Sequence, residues 1–242
     1  MNEIARIKDV KRKAYQGAAG ARRKQFCNEY GRVLRQIHAD ILVTAKNSLK
    51  EGESISCGKG CSFCCYQHLG VMFAHGLLVA DYLYSHEREL EIFLNNYPVW
   101  RERVGDISDN IDRDFRLAAQ SPDPNELLNV VKSPLFQAYY DNQVPCPFLH
   151  NSVCSIYEVR PSSCSQHIST SPPDRCAKNS PFRPDTKEIP IKESDNAKLM
   201  SLPYGSPVLT LSIFTLPTMT YKLLVNGLPH FSIETGTGRI FV

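Results

Sequence analysis

The amino-acid sequence predicts a mainly α fold with a cysteine- and proline-rich irregular segment, stapled by metal, and a small C-terminal β element. Three observations lead there. Apolar residues recur at steps of three and four along the first half of the chain, the period of helices with one buried face. Eight of the nine cysteines fall into two groups. Residues 143–190 hold eight prolines and four of those cysteines, with little helical period.

Residues 1–50 read as helix. The clearest stripe is Phe26, Tyr30, Val33, Leu34, Ile37, Ile41, Ala45 and Leu49. Gly52 and the run Ser54–Ser56 end it. A second helix is expected from about His75 to Leu94, burying Leu77, Leu78, Leu83, Leu90 and Phe93. Pro98 is expected to separate it from a third helix, because proline lacks an N–H and crowds the preceding turn. The stripe of that third helix is Trp100, Val104, Ile107, Ile111, Phe115 and Ala118. Ser121-Pro122-Asp123-Pro124-Asn125 is a stop and restart. Ser133-Pro134 reads as an N-cap with proline at the first helical position, opening a short helix to about Tyr140.

From 143 to 190 the chain has few ways to order itself without a staple, which a metal would supply. From Pro207 onward it looks β-like. Val208–Phe214 is apolar and partly alternating; Phe231–Ile233 and Arg239–Val242 flank a Thr235-Gly236-Thr237-Gly238 hairpin turn. The expected organisation is an N-terminal helical segment 1–52, a cysteine-cluster metal-binding domain 53–190, and a small β-rich extension 191–242 packed on the same unit.

Composition narrows the class. With 242 residues and 42% hydrophobic content, the chain can bury a real core. At 22% charged residues it lacks the profile of a disordered protein, and a net charge of +3 is too small to indicate nucleic acid by itself. Arg6, Lys8, Lys11, Arg12, Lys13, Arg22, Arg23 and Lys24 form a basic N-terminal stretch without interleaved aromatics, which reads as a solvated helix face. The N-terminus lacks the apolar core of a secretory signal. The two long uncharged stretches, 62–80 and 199–221, carry cysteine and histidine or proline and glycine, and read as no membrane span. A soluble, cytoplasmic protein is expected.

A reducing cytosol disfavours disulfides, so grouped cysteines there point to metal or catalysis. Cys27 stands alone on a helical stripe and reads as a buried thiol. The first group is Cys57-Gly58-Lys59-Gly60-Cys61-Ser62-Phe63-Cys64-Cys65; the second is Cys146, Cys154, Cys164 and Cys176. Short spacings let one loop offer several sulfurs to one ion. Gly58 and Gly60 would let the backbone wrap around it, and Lys59 would favour thiolate over thiol. Cys64 and Cys65 are adjacent, so in helix or strand their side chains diverge. Eight sulfurs thus allow one four-ligand centre with spare thiols, or two centres.

The two groups together resemble the YkgJ-type cysteine-cluster (CxxCxxCC, zinc- or iron-chelating) family. The resemblance lies in the Cys-x3-Cys-x2-Cys-Cys block followed by an apolar helix. It continues in Cys146-Pro147-Phe148-Leu149, in Cys154-Ser155-Ile156-Tyr157-Glu158-Val159-Arg160-Pro161, and in Cys164. It covers residues 57 to about 176. The family is described as containing iron–sulfur proteins and includes flagellin lysine N-methylases; both descriptions are implications of the resemblance. The sequence departs from the pattern in three places. Three residues separate the first two cysteines, Ser165 rather than Arg follows Cys164, and His75 stands where members often carry Glu.

The expected metal ligands are Cys57, Cys61, Cys64, Cys65, Cys146, Cys154, Cys164 and Cys176. They hold an iron–sulfur cluster or zinc, iron–sulfur being favoured through the resemblance. Arg160 could donate to cluster sulfides and Tyr157 could pack over the site. His75 reads as a helix-face histidine and His167 as a solvated loop residue. A redox or protein-modification role on an unknown protein partner or substrate fits an iron–sulfur centre. A zinc-stabilised non-enzymatic binding module is the alternative, and a lysine N-methylase-like transferase a second. For the last, the glycine patterns Gly17–Gly20 and Gly236–Gly238 are weak cofactor signals. The first block also has the shape of a radical S-adenosylmethionine motif, but helix, helix and proline-rich loop follow it rather than a strand–helix repeat.

Overall fold

The structure is a computed structural model, and it describes residues 3–123, 125–201 and 213–227. It is mainly helical with small antiparallel strand pairs. The elements are α1 (Glu3–Ala14), α2 (Gly17–Asn47), β1 (Gly70–Met72), α3 (Phe73–Ser85), α4 (Glu87–Ala118), α5 (Asn125–Val131) and α6 (Pro134–Asp141). Then come β2 (Leu149–His150), β3 (Val153–Cys154), a 3-10 turn Tyr157–Val159, α7 (Ser163–Gln166), β4 (His167–Ser169) and a 3-10 turn Pro173–Cys176. β5 (Thr186–Glu188), α8 (Glu193–Ser201), β6 (Ile213–Thr215) and α9 (Leu216–Asn226) complete the described chain.

The predicted α2 stripe is the buried one: Phe26, Tyr30, Val33, Leu34, Ile37, Ile41 and Ala45 all enter the core. That core is one cluster reaching from Ile7 through α2, α3 and α4 to Leu224, so the N-terminal helices and the C-terminal helix share it. Cys27 is buried with the stripe, its thiol against the Leu77 carbonyl. Gly76 sets the approach of α3 to α9, since a Cβ there would stand 2.4 Å from Met219 Cγ.

Two helix boundaries differ from expectation. The helix expected from His75 to Leu94 breaks at His86, whose φ and ψ are −131° and 84°. There the side chain competes with the backbone: His86 Nδ1 lies 2.7 Å from the Tyr82 carbonyl, the oxygen that a continuing helix would offer to the His86 N–H. Pro98, expected to separate two helices, lies inside α4. It sits on the exposed side while Phe93, Tyr97, Trp100 and Val104 run unbroken along the buried side. Core packing therefore outweighs the roughly 3 kcal/mol that an interior proline costs.

The C-terminal region also differs. Leu216–Asn226, inside the stretch read as β-like, is helix. Thr215 precedes it, Pro217 occupies its first turn, and Leu216, Met219, Leu223 and Leu224 form its buried stripe. Of Val208–Phe214, residues Ile213 and Phe214 lie in β6, which pairs antiparallel with β1 (Gly70↔Thr215, Met72↔Ile213). Val208–Ser212, Phe231–Ile233, the Thr235–Gly238 turn and Arg239–Val242 lie outside the described residues.

A buried polar knot fastens that strand pair to α4. Asp112 accepts the Thr215 N–H at 3.0 Å and the Thr215 hydroxyl at 2.6 Å. The Thr215 oxygen in turn meets Ser108 Oγ at 2.6 Å and His68 Nε2 at 2.8 Å. The His68 ring is enclosed by Phe115, Phe136 and Tyr139. The knot therefore holds the chain just after the first cysteine group at a fixed depth. Asp112→Ala is expected to lower the unfolding free energy by about 2–4 kcal/mol, because two buried donors lose their acceptor. A urea midpoint equal to that of the wild type would contradict this.

Candidate metal centre

The first cysteine group is a loop of consecutive turns. Cys61 N–H donates to the Gly58 carbonyl at 3.0 Å and Cys65 N–H to the Ser62 carbonyl at 2.9 Å. Gly60 has a φ of +101°, a conformation that side chains with a Cβ rarely adopt, and Gly58 has no such requirement. The expectation of two enabling glycines thus narrows to one.

Both ends of the loop are anchored. At its start, Ser56 N–H and hydroxyl donate to the Ser169 carbonyl, each at 2.9 Å. The Ser169 N–H returns a bond to Cys57 Sγ at 3.0 Å. At its end, the Cys65 carbonyl accepts the Cys146 N–H at 2.7 Å, a direct backbone bond between the two cysteine groups.

The Cys146-Pro147-Phe148-Leu149 string owes its placement to α4. Phe148 is fully buried and stacks on Phe93, ring centroids 4.7 Å apart. Asn96 Nδ2 donates to the carbonyls of Pro147 (3.0 Å) and Leu149 (3.1 Å). Leu149 pairs with Cys154 across the β2–β3 hairpin, so Cys146 and Cys154 are carried by one small unit. Ile156 and Val159 are buried, the 3-10 turn between them presents Tyr157, and Cys164 opens off the Pro161 carbonyl into α7. Cys176 ends the second 3-10 turn, and its charge raises the cost of ionising Cys57 and Cys61.

All nine cysteines are free thiols. Cys57 and Cys61 are hydrogen-bonded to each other. Cys64 and Cys65, whose side chains were expected to diverge, are also hydrogen-bonded thiol to thiol. The divergence rule applies to helix and strand, whereas this pair lies in the turn 63–66. The bond from Cys65 holds the Cys64 thiol below the ordinary range, and the Arg160 charge assists. The same bond, with burial and the charges of Cys146, Cys64 and Cys154, drives Cys65 up. Burial pushes Cys146 up to about 12 and raises Cys154 and Cys164 as well. Among the described residues, no set of three or more His, Cys, Asp or Glu side chains is arrayed as a metal-ligand set.

The cation acting on these thiols is Arg160. Its guanidinium lies 3.6 Å from the Tyr157 ring centroid and favours ionisation of Cys64, Cys154 and Cys164. Lys59, expected in that part, instead leans over Tyr157 at 5.8 Å. The turn that carries Arg160 packs against two histidines, the buried His75 and the half-buried His38. His75, in the first turn of α3, places Nε2 2.9 Å from the Val159 carbonyl, and His38 on α2 lies beside Arg160. His38 escaped the sequence reading; its place beside Ile37 and Ile41 on the buried stripe was the available signal. His167 is exposed at the start of β4.

The basic N-terminal stretch is largely engaged within the chain. Lys8 pairs with Glu87, Arg12 and Lys13 with Asp9, and Lys24 with Asp81, while Lys11 donates to the Tyr84 carbonyl. Gly17 and Gly20 open α2 at a corner between two helices, without the preceding strand that a cofactor-binding glycine turn requires; Gly236–Gly238 lie outside the described residues. Among the described residues, no helix is long and apolar enough to cross a membrane. No family model, curated protein or solved structure matches this chain.

Two outcomes follow from this geometry. Gly60→Ala is expected to destabilise the loop by about 1–2 kcal/mol and Gly58→Ala by much less, because only the first forces a Cβ into the left-handed region. Denaturation midpoints of the two variants test this, and equal midpoints would refute it. The second concerns pH. Burial lowers the imidazole pKa of His38 and of His75 from 6.5 to about 4. The unfolded chain gains these protons as pH falls through 6.5, and the folded chain only near 4. Their support is thus complete above pH 6.5 and drains between 6.5 and 4, by roughly 3 kcal/mol per histidine. His75→Gln should show a shallower fall in denaturation midpoint over that window; an unchanged slope would refute the brace.

Proposed function

We propose that this chain is a cysteine-ligated metal protein of the YkgJ type, carrying an iron–sulfur centre with a redox or protein-modification role. The observation that carries the reading is convergence: the loop Cys57–Cys65 is joined to Cys146 by a backbone bond and to β4 through Cys57, so the two distant cysteine blocks meet in the fold. The donor set fits. All eight are free, soft sulfur ligands, Ser169 already offers an N–H to one of them, and Arg160 supplies positive charge nearby. The family resemblance favours iron–sulfur over zinc. Such a centre would supply one-electron chemistry or anchor a substrate at an iron. The chain's own residues hold the sulfurs, set the charge around them through Arg160 and cover the site with Tyr157. The reducing environment that free thiols need agrees with a cytoplasmic location.

A zinc-stabilised binding module is the second reading, and the desolvation that raises the half-buried Cys146 and Cys164 thiols favours it. A closed tetrathiolate zinc site contributes folding energy and leaves no open position for chemistry. Anaerobic purification followed by iron, zinc and acid-labile sulfide analysis separates the two. A brown protein with iron and sulfide is expected. A colourless protein with stoichiometric zinc would replace the first reading by the second, and a metal-free protein with eight titratable surface-block thiols would end both.

A further inference from the structure

A row of aromatic rings runs from the Cys146 segment to the surface. Phe148, two residues after Cys146, stacks on Phe93 with ring centroids 4.7 Å apart. Phe93 lies 5.4 Å from Tyr97, and Tyr97 stacks on Tyr221 of α9 at 4.3 Å, their planes 13° apart. Trp100, the single tryptophan, also stacks on Tyr97, at 5.7 Å. Phe148, Phe93, Tyr97 and Trp100 are buried, whereas Tyr221 reaches solvent. There its hydroxyl donates to the Glu3 carboxylate at 3.0 Å. Packing accounts for stacked rings in a core. It does not require the last two to be phenols, nor the outermost phenol to meet a carboxylate at proton-transfer distance.

We propose that Tyr97 and Tyr221 form a one-electron relay that drains oxidising equivalents from the cysteine region to the surface. Free thiols are open to oxidation, and an oxygen-derived radical that abstracts the thiol hydrogen of Cys146 leaves a thiyl radical there. One electron then passes from the Tyr221 phenol along the rings to the thiyl sulfur, and the phenol proton passes to Glu3. The thiyl becomes a thiolate, Tyr221 becomes a tyrosyl radical, and the Glu3 carboxylate becomes the acid. Phe93 and Phe148 are not themselves oxidised; their rings fill the space between Tyr97 and the Cys146 segment. Tyr97 is buried away from water, so the oxidised state settles on Tyr221, where Glu3 stands as base. At the surface a small soluble thiol returns a hydrogen atom to Tyr221, and Glu3 releases its proton to water. The relay requires no metal, so it stands or falls separately from the reading of the thiols as ligands.

Two measurements on the full reduced chain test the relay. In the first, an anaerobic laser flash absorbed by indole ionises Trp100, the single tryptophan. The wild type is expected to exchange tryptophanyl for tyrosyl absorption. Tyr97→Phe and Tyr221→Phe, which keep the stacked rings, should leave the tryptophanyl radical long-lived, whereas Tyr139→Phe should convert as the wild type does, although Tyr139 accepts the Trp100 N–H. In the second, photolysis of the S-nitrosylated chain generates thiyl radicals, and freeze-quenched electron paramagnetic resonance reads where the radical goes. A tyrosyl signal is expected in the wild type, with most of it lost in Cys146→Ser and in Tyr221→Phe. A wild type that forms no tyrosyl radical in either measurement would overturn the proposal. So would Tyr97→Phe or Tyr221→Phe chains that convert at the wild-type rate, or a Cys146→Ser chain with an undiminished tyrosyl signal.

Discussion

The hydrogen bond from the Cys146 N–H to the Cys65 carbonyl joins two segments that the sequence separates by four helices, and the cysteine region depends on it. A bond of this kind contributes only about 1 kcal/mol by itself. It persists because both partners are held by larger forces. On one side, α4 positions the Cys146 segment through the Phe93–Phe148 stack and the two bonds from Asn96. On the other, the Asp112–Thr215–His68 knot holds the chain leaving the first cysteine group against the same helix. One helix thus sets the separation of the two blocks, and the hydrophobic burial along α4 provides the free energy that keeps it there.

The electrostatics of the region follow from that convergence. Sulfurs brought together away from water raise one another's cost of ionisation, and burial adds to it. The structure answers with Arg160, held in place by its stacking on Tyr157 and, through the Val159 carbonyl, by His75, with His38 beside it. Both histidines are kept neutral by burial, so they fix geometry without adding charge of their own. A divalent cation or a cluster is the larger charge that such a thiol assembly is suited to receive.

Several local readings failed for reasons that share a cause. Pro98 looked like a boundary because local propensity was being read, and the continuous buried stripe on either side of it decided otherwise. The boundary that does exist, at His86, comes from a side chain taking its own helix's carbonyl, which no hydrophobic period reveals. Cys64 and Cys65 were expected to diverge under a rule for regular structure that a turn does not obey. Leu216–Asn226 carried a proline start and an i, i+3, i+7, i+8 stripe, but the β-branched run before it drew the reading toward strand.

The sequence by itself determined the mainly helical class, the buried stripes of α2, α3 and α4, the isolation of Cys27 and the membership of the two cysteine blocks. Each of these is written in spacing, and spacing maps directly onto a helix face or a loop. Only the tertiary structure decided that the Cys65 carbonyl meets the Cys146 N–H, that Cys57 Sγ meets the Ser169 N–H, that the Arg160 charge favours ionisation of Cys64, Cys154 and Cys164, and that His75 braces the turn that carries Arg160. Those pairings join positions scores of residues apart, and they are selected by how α2, α3 and α4 pack, a collective property of the core that no local pattern encodes.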